Sequence, residues 1–113
     1  KVRYLGVSNF DVAQTTEAAA YGPVASAQPH YSMLFRGIEK DLLPYCREQG
    51  IGVMVYAALA RGLLSGKYAA SHRFSDDDDR AHIPELTPAV RQAAVEINRR
   101  LGPWARDHGY TMA

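Results

Sequence analysis

The hydrophobic pattern of the first half of the chain alternates between strand-like and helix-like stretches. Short apolar runs rich in strand-forming residues occupy residues 2–7, 24–28 and 51–56, and apolar positions at helical spacing cover residues 12–20 and 38–49. Connections of helix length between consecutive strands indicate that the strands run parallel. The sequence therefore predicts an α/β fold with a three-stranded parallel sheet.

Pro44 lies inside the second helical stretch, where a proline has no N–H to donate. A proline is tolerated in the first turn of a helix, because the N–H groups there have no partner within the helix. We therefore expect the regular helix to start near residues 41–43, after a looser turn, and to end at Gly50.

The second half begins with a long polar stretch. Residues 69–86 are interpreted as a long loop or flap, because segments of this length without regular structure are usually functional or disordered. The run Asp76–Asp79 is typical of a solvated charged turn, since four adjacent carboxylates cannot all converge on one metal ion. No metal site is predicted.

A helix follows this loop. Thr87 and Pro88 form a typical start, and the apolar positions of residues 89–100 recur at helical spacing. Gly102 and Pro103 leave two alternatives for the residues that follow, a kinked continuation or a second helix.

Composition and charge restrict the function classes. The 113 residues, 47% of them hydrophobic, suffice for one core, and 13 basic against 12 acidic residues create no broad field that would attract nucleic acid or a membrane surface. No apolar run reaches the roughly 20 residues that span a bilayer. The only cysteine, Cys46, is expected to be a buried apolar residue in a reducing compartment, so we predict a cytoplasmic protein. The chain starts at Lys1 without an initiator methionine, and we expect a fragment.

The stretch from Gly52 to Tyr68 carries the clearest chemical pattern. An apolar strand ends in Tyr56 and opens into a basic loop that contains two glycines, Arg61–Lys67. Backbone N–H groups and cations in such a loop suit a diphosphate, and the flat ring of Tyr56 suits stacking on a ligand ring. The pattern is also compatible with an ordinary strand and glycine loop.

A nucleotide P-loop is excluded by the spacing of this loop. That motif has four residues between its glycines and a Ser or Thr after its lysine. Here Gly62 and Gly66 enclose three residues, and Tyr68 follows Lys67.

Four motifs in the same order resemble the aldo-keto reductase family. They are GVSNF at Gly6–Phe10, a strand ending in Gln28 with Tyr31 shortly after it, LLPYCREQGIGV at Leu42–Val53, and YAALARGLLSGKY at Tyr56–Tyr68. The spacing agrees over nearly the whole chain. The resemblance implies a partial (β/α)8 TIM barrel, in which residues 1–113 supply strands five to seven and their helices as part of one domain.

The resemblance further implies an oxidoreductase that reduces aldehydes or ketones to alcohols by hydride transfer from NADPH. In the family, the Ser-Asn after strand five and the Gln that ends strand six hold the nicotinamide carboxamide, the aromatic residue that ends strand seven stacks on the ring, and the next loop wraps the pyrophosphate. Carried over to this sequence, the cofactor-binding residues are Ser8, Asn9, Gln28, Tyr56, Leu59, Arg61, Gly62, Leu64 and Lys67.

This sequence departs from the family pattern at two places beside these residues. Ala57 and Ala58 replace the usual Ser-Pro after the stacking aromatic, which removes a hydroxyl that could contact phosphate. Pro29 and His30 follow Gln28, where the family often has an apolar residue and a polar one. Neither change removes one of the implied cofactor contacts.

No catalytic residue is predicted within the chain. The catalytic Asp, Tyr, Lys and His of the family lie on earlier strands, and the residues that hold the adenosine 2′-phosphate lie after strand eight. A proton donor also needs a pKa lowered by a neighbouring cation, and no spacing in this sequence indicates one. We interpret His30 as a packed or solvent-facing loop residue.

Two alternatives from other classes stay open at this stage. The chain is compatible with a non-catalytic binding or assembly module made of a half barrel, whose exposed strand edges would need the remaining barrel strands or another chain to cover them. It is also compatible with an unrelated small doubly wound domain that binds a nucleotide. The identity of the carbonyl substrate, NADPH against NADH, and the oligomeric state do not follow from these residues.

Overall fold

The computed structural model describes all 113 residues, which divide into two compact units, residues 1–58 and 59–113. In chain order, the regular elements of the first unit are β1 (Leu5–Ser8), α1 (Val12–Ala19), β2 (Val24–Gln28), a 3₁₀ turn (Gly37–Glu39), α2 (Leu42–Gln49) and β3 (Gly52–Val53). The second unit contains a 3₁₀ segment (Ala60–Ser65), a 3₁₀ turn (Asp79–His82) and α3 (Pro88–Asp107). None of these helices combines the length and the apolar character that crossing a membrane requires.

The sheet of the first unit has the order β1-β2-β3, and both pairs of neighbours are parallel. Two connections, each with one helix, join the three strands, as the sequence predicted. The register pairs Ser8, the last residue of β1, with Gln28, the last residue of β2. The carboxyl ends of these two strands therefore lie side by side.

β3 is shorter than the predicted strand over residues 51–56. Pro29 continues the line of β2 and has no N–H to donate, so the regular ladder stops beside it. Beyond the regular strand, individual hydrogen bonds still join the two segments. The N–H of Met54 donates to the carbonyl of Ala27 at 2.9 Å, and the N–H of Tyr56 donates to the carbonyl of Pro29 at 3.1 Å. Tyr56 is therefore fixed beside the end of β2 although it lies outside the regular strand.

The core of the first unit lies between the sheet and α2. Its buried members are Ala27, Leu42, Cys46 and Ile51. The side chain of Cys46 is 1% exposed, and its burial raises the pKa of the thiol, which confirms the prediction of a buried apolar cysteine.

The start of α2 confirms the interpretation of Pro44. The helix begins at Leu42, whose N–H donates to the side chain of Asp41, so Pro44 falls within the first turn. The looser turn before it is the 3₁₀ turn. At the other end, Gly50 adopts the left-handed conformation with φ 67°, which is the usual helix stop.

α3 of the second unit is one continuous helix that includes Gly102 and Pro103. This decides between the two alternatives that the sequence left open. Gly102 is buried, and so are Ala94 and Ala105. Small residues on this face allow neighbouring segments to approach closely. The helix continues through Pro103, which has no N–H to donate to the carbonyl four residues before it.

Candidate cofactor-binding site

Four of the predicted cofactor residues meet at the carboxyl ends of the strands. The hydroxyl of Ser8 donates to the backbone carbonyl of Gln28 at 3.0 Å, and the N–H of Asn9 donates to the same carbonyl at 3.3 Å. The hydroxyl of Tyr56 donates to Oδ1 of Asn9 at 3.0 Å. The structure therefore brings together Ser8, Asn9, Gln28 and Tyr56, which are up to 48 residues apart in the sequence.

Asn9 adopts a left-handed backbone conformation, with φ 58°. Asparagine tolerates this region better than most residues, because its short polar side chain can hydrogen-bond locally. One lone pair of Oδ1 accepts the bond from Tyr56, which leaves the second lone pair and both N–H groups of the amide for other partners. Both Asn9 and Gln28 are exposed, so their amides are accessible to a ligand.

The ring of Tyr56 is supported from one side by His30. The two rings are stacked, with their centroids 5.2 Å apart and an interplanar angle of 16°. His30 in turn packs on Phe35, with ring centroids 4.6 Å apart, and its buried Nε2 has no hydrogen-bond partner. His30 is thus a packed residue beside the candidate site. The sequence offered only its position two residues after Gln28 as an indication of this.

Tyr31, which belongs to the second family-like motif, bonds to other side chains of its own unit. Its hydroxyl donates to Glu39 at 2.5 Å, and Arg36 forms a two-pronged ion pair with the same carboxylate. The hydrogen bond to Glu39 raises the pKa of Tyr31.

The other five predicted cofactor residues lie in the second unit, on the segment Leu59–Lys67. Ala60, Arg61 and Gly62 are in the left-handed region, with φ 48°, 57° and 95°. The carbonyl of Leu59 accepts the N–H groups of Gly62 at 3.0 Å and Leu64 at 3.1 Å, which closes this turn on itself. The sequence predicted a glycine-containing loop here, and the non-helical backbone at Arg61 and Gly62 agrees with that prediction.

The side chains of these five residues have different surroundings. Arg61 and Lys67 are exposed, and both present a cation to solvent. Leu59 is 43% exposed, whereas Leu64 is 3% exposed and forms part of the core of its unit. The side chain of Leu64 is therefore not accessible to a ligand, and its backbone N–H is already bonded to Leu59.

Arg80 supports this turn from within the long segment of residues 69–86. Its Nη1 lies 3.3 Å from the carbonyl of Arg61 and 3.0 Å from the hydroxyl of Tyr68, and it donates to both. Asp78 pairs with the other side of the guanidinium at 2.6 Å. This hydrogen bond from Arg80 lowers the pKa of Asp78 to about 2. The interpretation of the aspartate run as solvated therefore fails for Asp78, which is half-buried and paired.

The whole chain, residues 1–113, matches the sequence model of the aldo/keto reductase family. The chain belongs to this family. The match confirms the resemblance that the four motifs indicated.

Individual relatives agree with this assignment. Aldo-keto reductase YhdN of Bacillus subtilis is 39% identical over 100 residues, which cover 88% of this chain and 30% of that protein. The NADH-specific methylglyoxal reductase of Escherichia coli is 44% identical over 66 residues, 58% of this chain and 20% of that protein.

Among solved structures of the family, the glycerol dehydrogenase of Gluconobacter oxydans matches 99% of this chain and 34% of its own, with a TM-score of 0.86 and 34% identity. This match confirms the predicted fold class, a three-stranded parallel part of the family's (β/α)8 barrel. The chain thus spans about a third or less of the length of each of these family members.

Proposed function

We propose that this chain is the cofactor-binding part of an aldo/keto reductase that reduces aldehydes or ketones to alcohols. The observation that carries the proposal is the meeting of Ser8, Asn9, Gln28 and Tyr56 at one edge of a parallel sheet. Ligands of α/β barrels bind at the carboxyl ends of the strands.

The residues at this edge fit a nicotinamide. A carboxamide needs both donors and acceptors, and the exposed amides of Asn9 and Gln28 provide both. The face of Tyr56 opposite His30 offers a flat surface for the ring. Bound there, the nicotinamide supplies the hydride, and the protein supplies orientation. Ser8 fixes the end of β1 through its bond to Gln28.

The segment Leu59–Lys67 is proposed to bind the pyrophosphate of the cofactor. Arg61 and Lys67 contribute exposed cations, and Gly62 allows the backbone to approach a phosphate closely. Leu59 and Leu64 shape the turn, because the carbonyl of Leu59 accepts the N–H of Leu64. Support for these roles comes from family membership and from the exposure of the two cations.

NADPH is the cofactor that we propose, on the basis of the family resemblance. One relative carries NADH in its name, so membership of the family does not by itself select NADPH. The proposal further includes one barrel domain in which residues 69–86 form a flap. It also includes catalytic Asp, Tyr, Lys and His residues on barrel strands outside this chain, and a cytoplasmic location.

Substitution of Tyr56 in the full-length protein tests the proposal. Tyr56→Ala removes the stacking face, and such ring contacts contribute about 0.5–1.5 kcal/mol beyond area burial, so the Kd for the cofactor should rise by roughly tenfold. Fluorescence titration with NADPH and with NADH measures this and shows which cofactor binds more tightly.

Two further variants sharpen the experiment. Tyr56→Phe keeps the ring and loses the bond to Asn9, so it should weaken binding by a few-fold only, because a net hydrogen bond contributes about 0.5–1.5 kcal/mol. Tyr21→Ala is the control, because Tyr21 is 86% exposed. An unchanged Kd in Tyr56→Ala would show that the proposed stacking role is wrong.

A further inference from the structure

Arg80 is the most extensively bonded arginine of the second unit. Its Nη1 donates to the carbonyl of Arg61 and to the hydroxyl of Tyr68, while its Nε and Nη2 donate to the carboxylate of Asp78 at 2.9 and 2.6 Å. The guanidinium lies 4.3 Å from the ring centroid of Phe74. These contacts fix both the direction and the plane of the guanidinium.

The carbonyl that Arg80 binds belongs to a disfavoured turn. Arg61 and Gly62 are consecutive left-handed residues, and a non-glycine residue such as Arg61 persists in this region only where its surroundings hold it. A Cβ added to Gly62 would lie 3.5 Å from Tyr68 and 3.6 Å from Nη1 of Arg80. The turn therefore packs directly against the Arg80–Tyr68 pair.

We infer that Arg80 is a positioning residue, which holds the Arg61–Gly62 turn in the shape that binds the cofactor diphosphate. The inference rests on the proposed function of the segment Leu59–Lys67. Four of the five guanidinium N–H groups of Arg80 are engaged by protein acceptors, so it acts through the turn and is not itself the phosphate ligand.

This role requires an arginine. The acceptors lie in three directions, on Arg61, Tyr68 and Asp78, and a planar fork of donors reaches all of them at once. A lysine retains the charge and the pairing with Asp78, but its single ammonium cannot serve the three acceptors in this geometry. Arg80→Lys thus separates the positioning role from the charge.

The experiment compares Arg80→Lys and Tyr68→Phe with the native full-length protein. We measure Kd and the dissociation rate for NADPH and NADH, kcat at saturating cofactor, and Tm. Arg80→Lys should raise Kd by about tenfold, mainly through faster dissociation, and leave saturated kcat within about twofold. Tyr68→Phe keeps the ring and removes one acceptor, so it should raise Kd by a few-fold.

Arg99→Lys is the matched control, because it makes the same exchange at an arginine that is also ion-paired, here with Glu96 on the exposed face of α3. Its Kd should equal that of the native protein, and an equal rise would overturn the inference. If Arg80→Lys does not fold, the conservative Tyr68→Phe decides alone.

Tyr56→Ala, measured in parallel, separates this inference from the proposed function. Unchanged Kd values in Arg80→Lys and Tyr68→Phe, beside a weakened Tyr56→Ala, overturn the inference and leave the proposed function intact. An unchanged Kd in Tyr56→Ala overturns the stacking role whatever Arg80 does. A lower saturated kcat with an unchanged cofactor Kd in Arg80→Lys would also overturn the inference, because it would locate the effect of Arg80 outside cofactor binding.

Discussion

The two groups of proposed cofactor residues are positioned by different means. The first group lies at the ends of parallel strands and consists of Ser8, Asn9, Gln28 and Tyr56. Backbone hydrogen bonds between neighbouring strands fix the positions of these residues. The segment Leu59–Lys67 has no such ladder. Its shape depends on left-handed residues, on the carbonyl of Leu59 and on the side chain of Arg80.

The two groups should therefore differ in the substitutions that they tolerate. A sheet distributes its hydrogen bonds along the backbone, so most side-chain changes at the surface leave the strand ends in place. A turn whose strained residues are held by a few side chains depends more strongly on each of those side chains. The strand-end residues should therefore respond to changes that disturb backbone pairing, and the loop residues to changes in single supporting contacts.

The largest effect is expected from Gly6→Ala in β1. A Cβ at this position would lie 2.5 Å from Oγ of Ser26 and 3.3 Å from its carbonyl oxygen. Overpacking of this kind costs about 1–3 kcal/mol, so the denaturant midpoint of the full-length protein should fall accordingly. The disturbed pairing lies two residues before Ser8, so cofactor binding should weaken as well.

The double variant Gly6→Ala, Ser26→Ala identifies the cause of that loss. Removal of the Ser26 hydroxyl relieves the closest contact and leaves the one with the backbone, so stability should recover in part. Equal midpoints for Gly6→Ala alone and for the double variant would show that the clash with Oγ is not what limits this position.

Gly62→Ala should have an effect of intermediate size. The residue has φ 95°, where an L side chain is strained, and the expected loss of stability is about 1 kcal/mol. Because the turn is proposed to approach the pyrophosphate, the Kd for the cofactor should rise as well, and fluorescence titration measures it. Gly37→Ala is the control, since its added Cβ would meet no atom within 4 Å. Equal losses in both variants would contradict the special role of Gly62.

The contrast between the two groups also explains what the sequence could predict. The strand and helix periods gave β1, α1, β2 and α2 to within a few residues, because each period reflects burial against one sheet. Because β1 and β2 were predicted to be parallel neighbours, Gln28 at the end of β2 was expected to lie beside the residues at the end of β1. β3 was predicted at the right place but too long, because its regular pairing stops beside Pro29, a residue of the neighbouring strand's continuation.

The role of Arg80 in holding the segment Leu59–Lys67 could not be predicted from the sequence. Arg80 is 19 residues from Arg61 and 12 from Tyr68, and no periodicity links them. The aspartate run gave no means to distinguish Asp78, which is paired, from Asp77, which is exposed. The left-handed conformations of Ala60 and Arg61 could not be predicted either, because neither residue type favours this region and both are held there by their surroundings.

The smallest predicted effect tests that support through its pH dependence. The pKa of Asp78 is about 2 against an ordinary value of 3.8, because Arg80 hydrogen-bonds the carboxylate. A lowered pKa in the folded state means that the ionised form stabilises the fold. This contribution is complete above pH 3.8 and is lost as the pH falls through about 2.

The comparison of Asp78→Asn with the native full-length protein separates the contribution of Asp78 to stability from that of the other carboxylates that titrate over the same range. The native protein should be the more stable of the two above about pH 4, and the difference should shrink between about pH 4 and pH 2, as urea titrations at a series of pH values would show. Asp77→Asn is the control, because Asp77 is the exposed neighbour and its substitution removes the same charge. A stability difference for Asp78→Asn that stays constant over this range would mean that the ion pair does not stabilise the fold, and Arg80 would then hold the Arg61 carbonyl without help from Asp78.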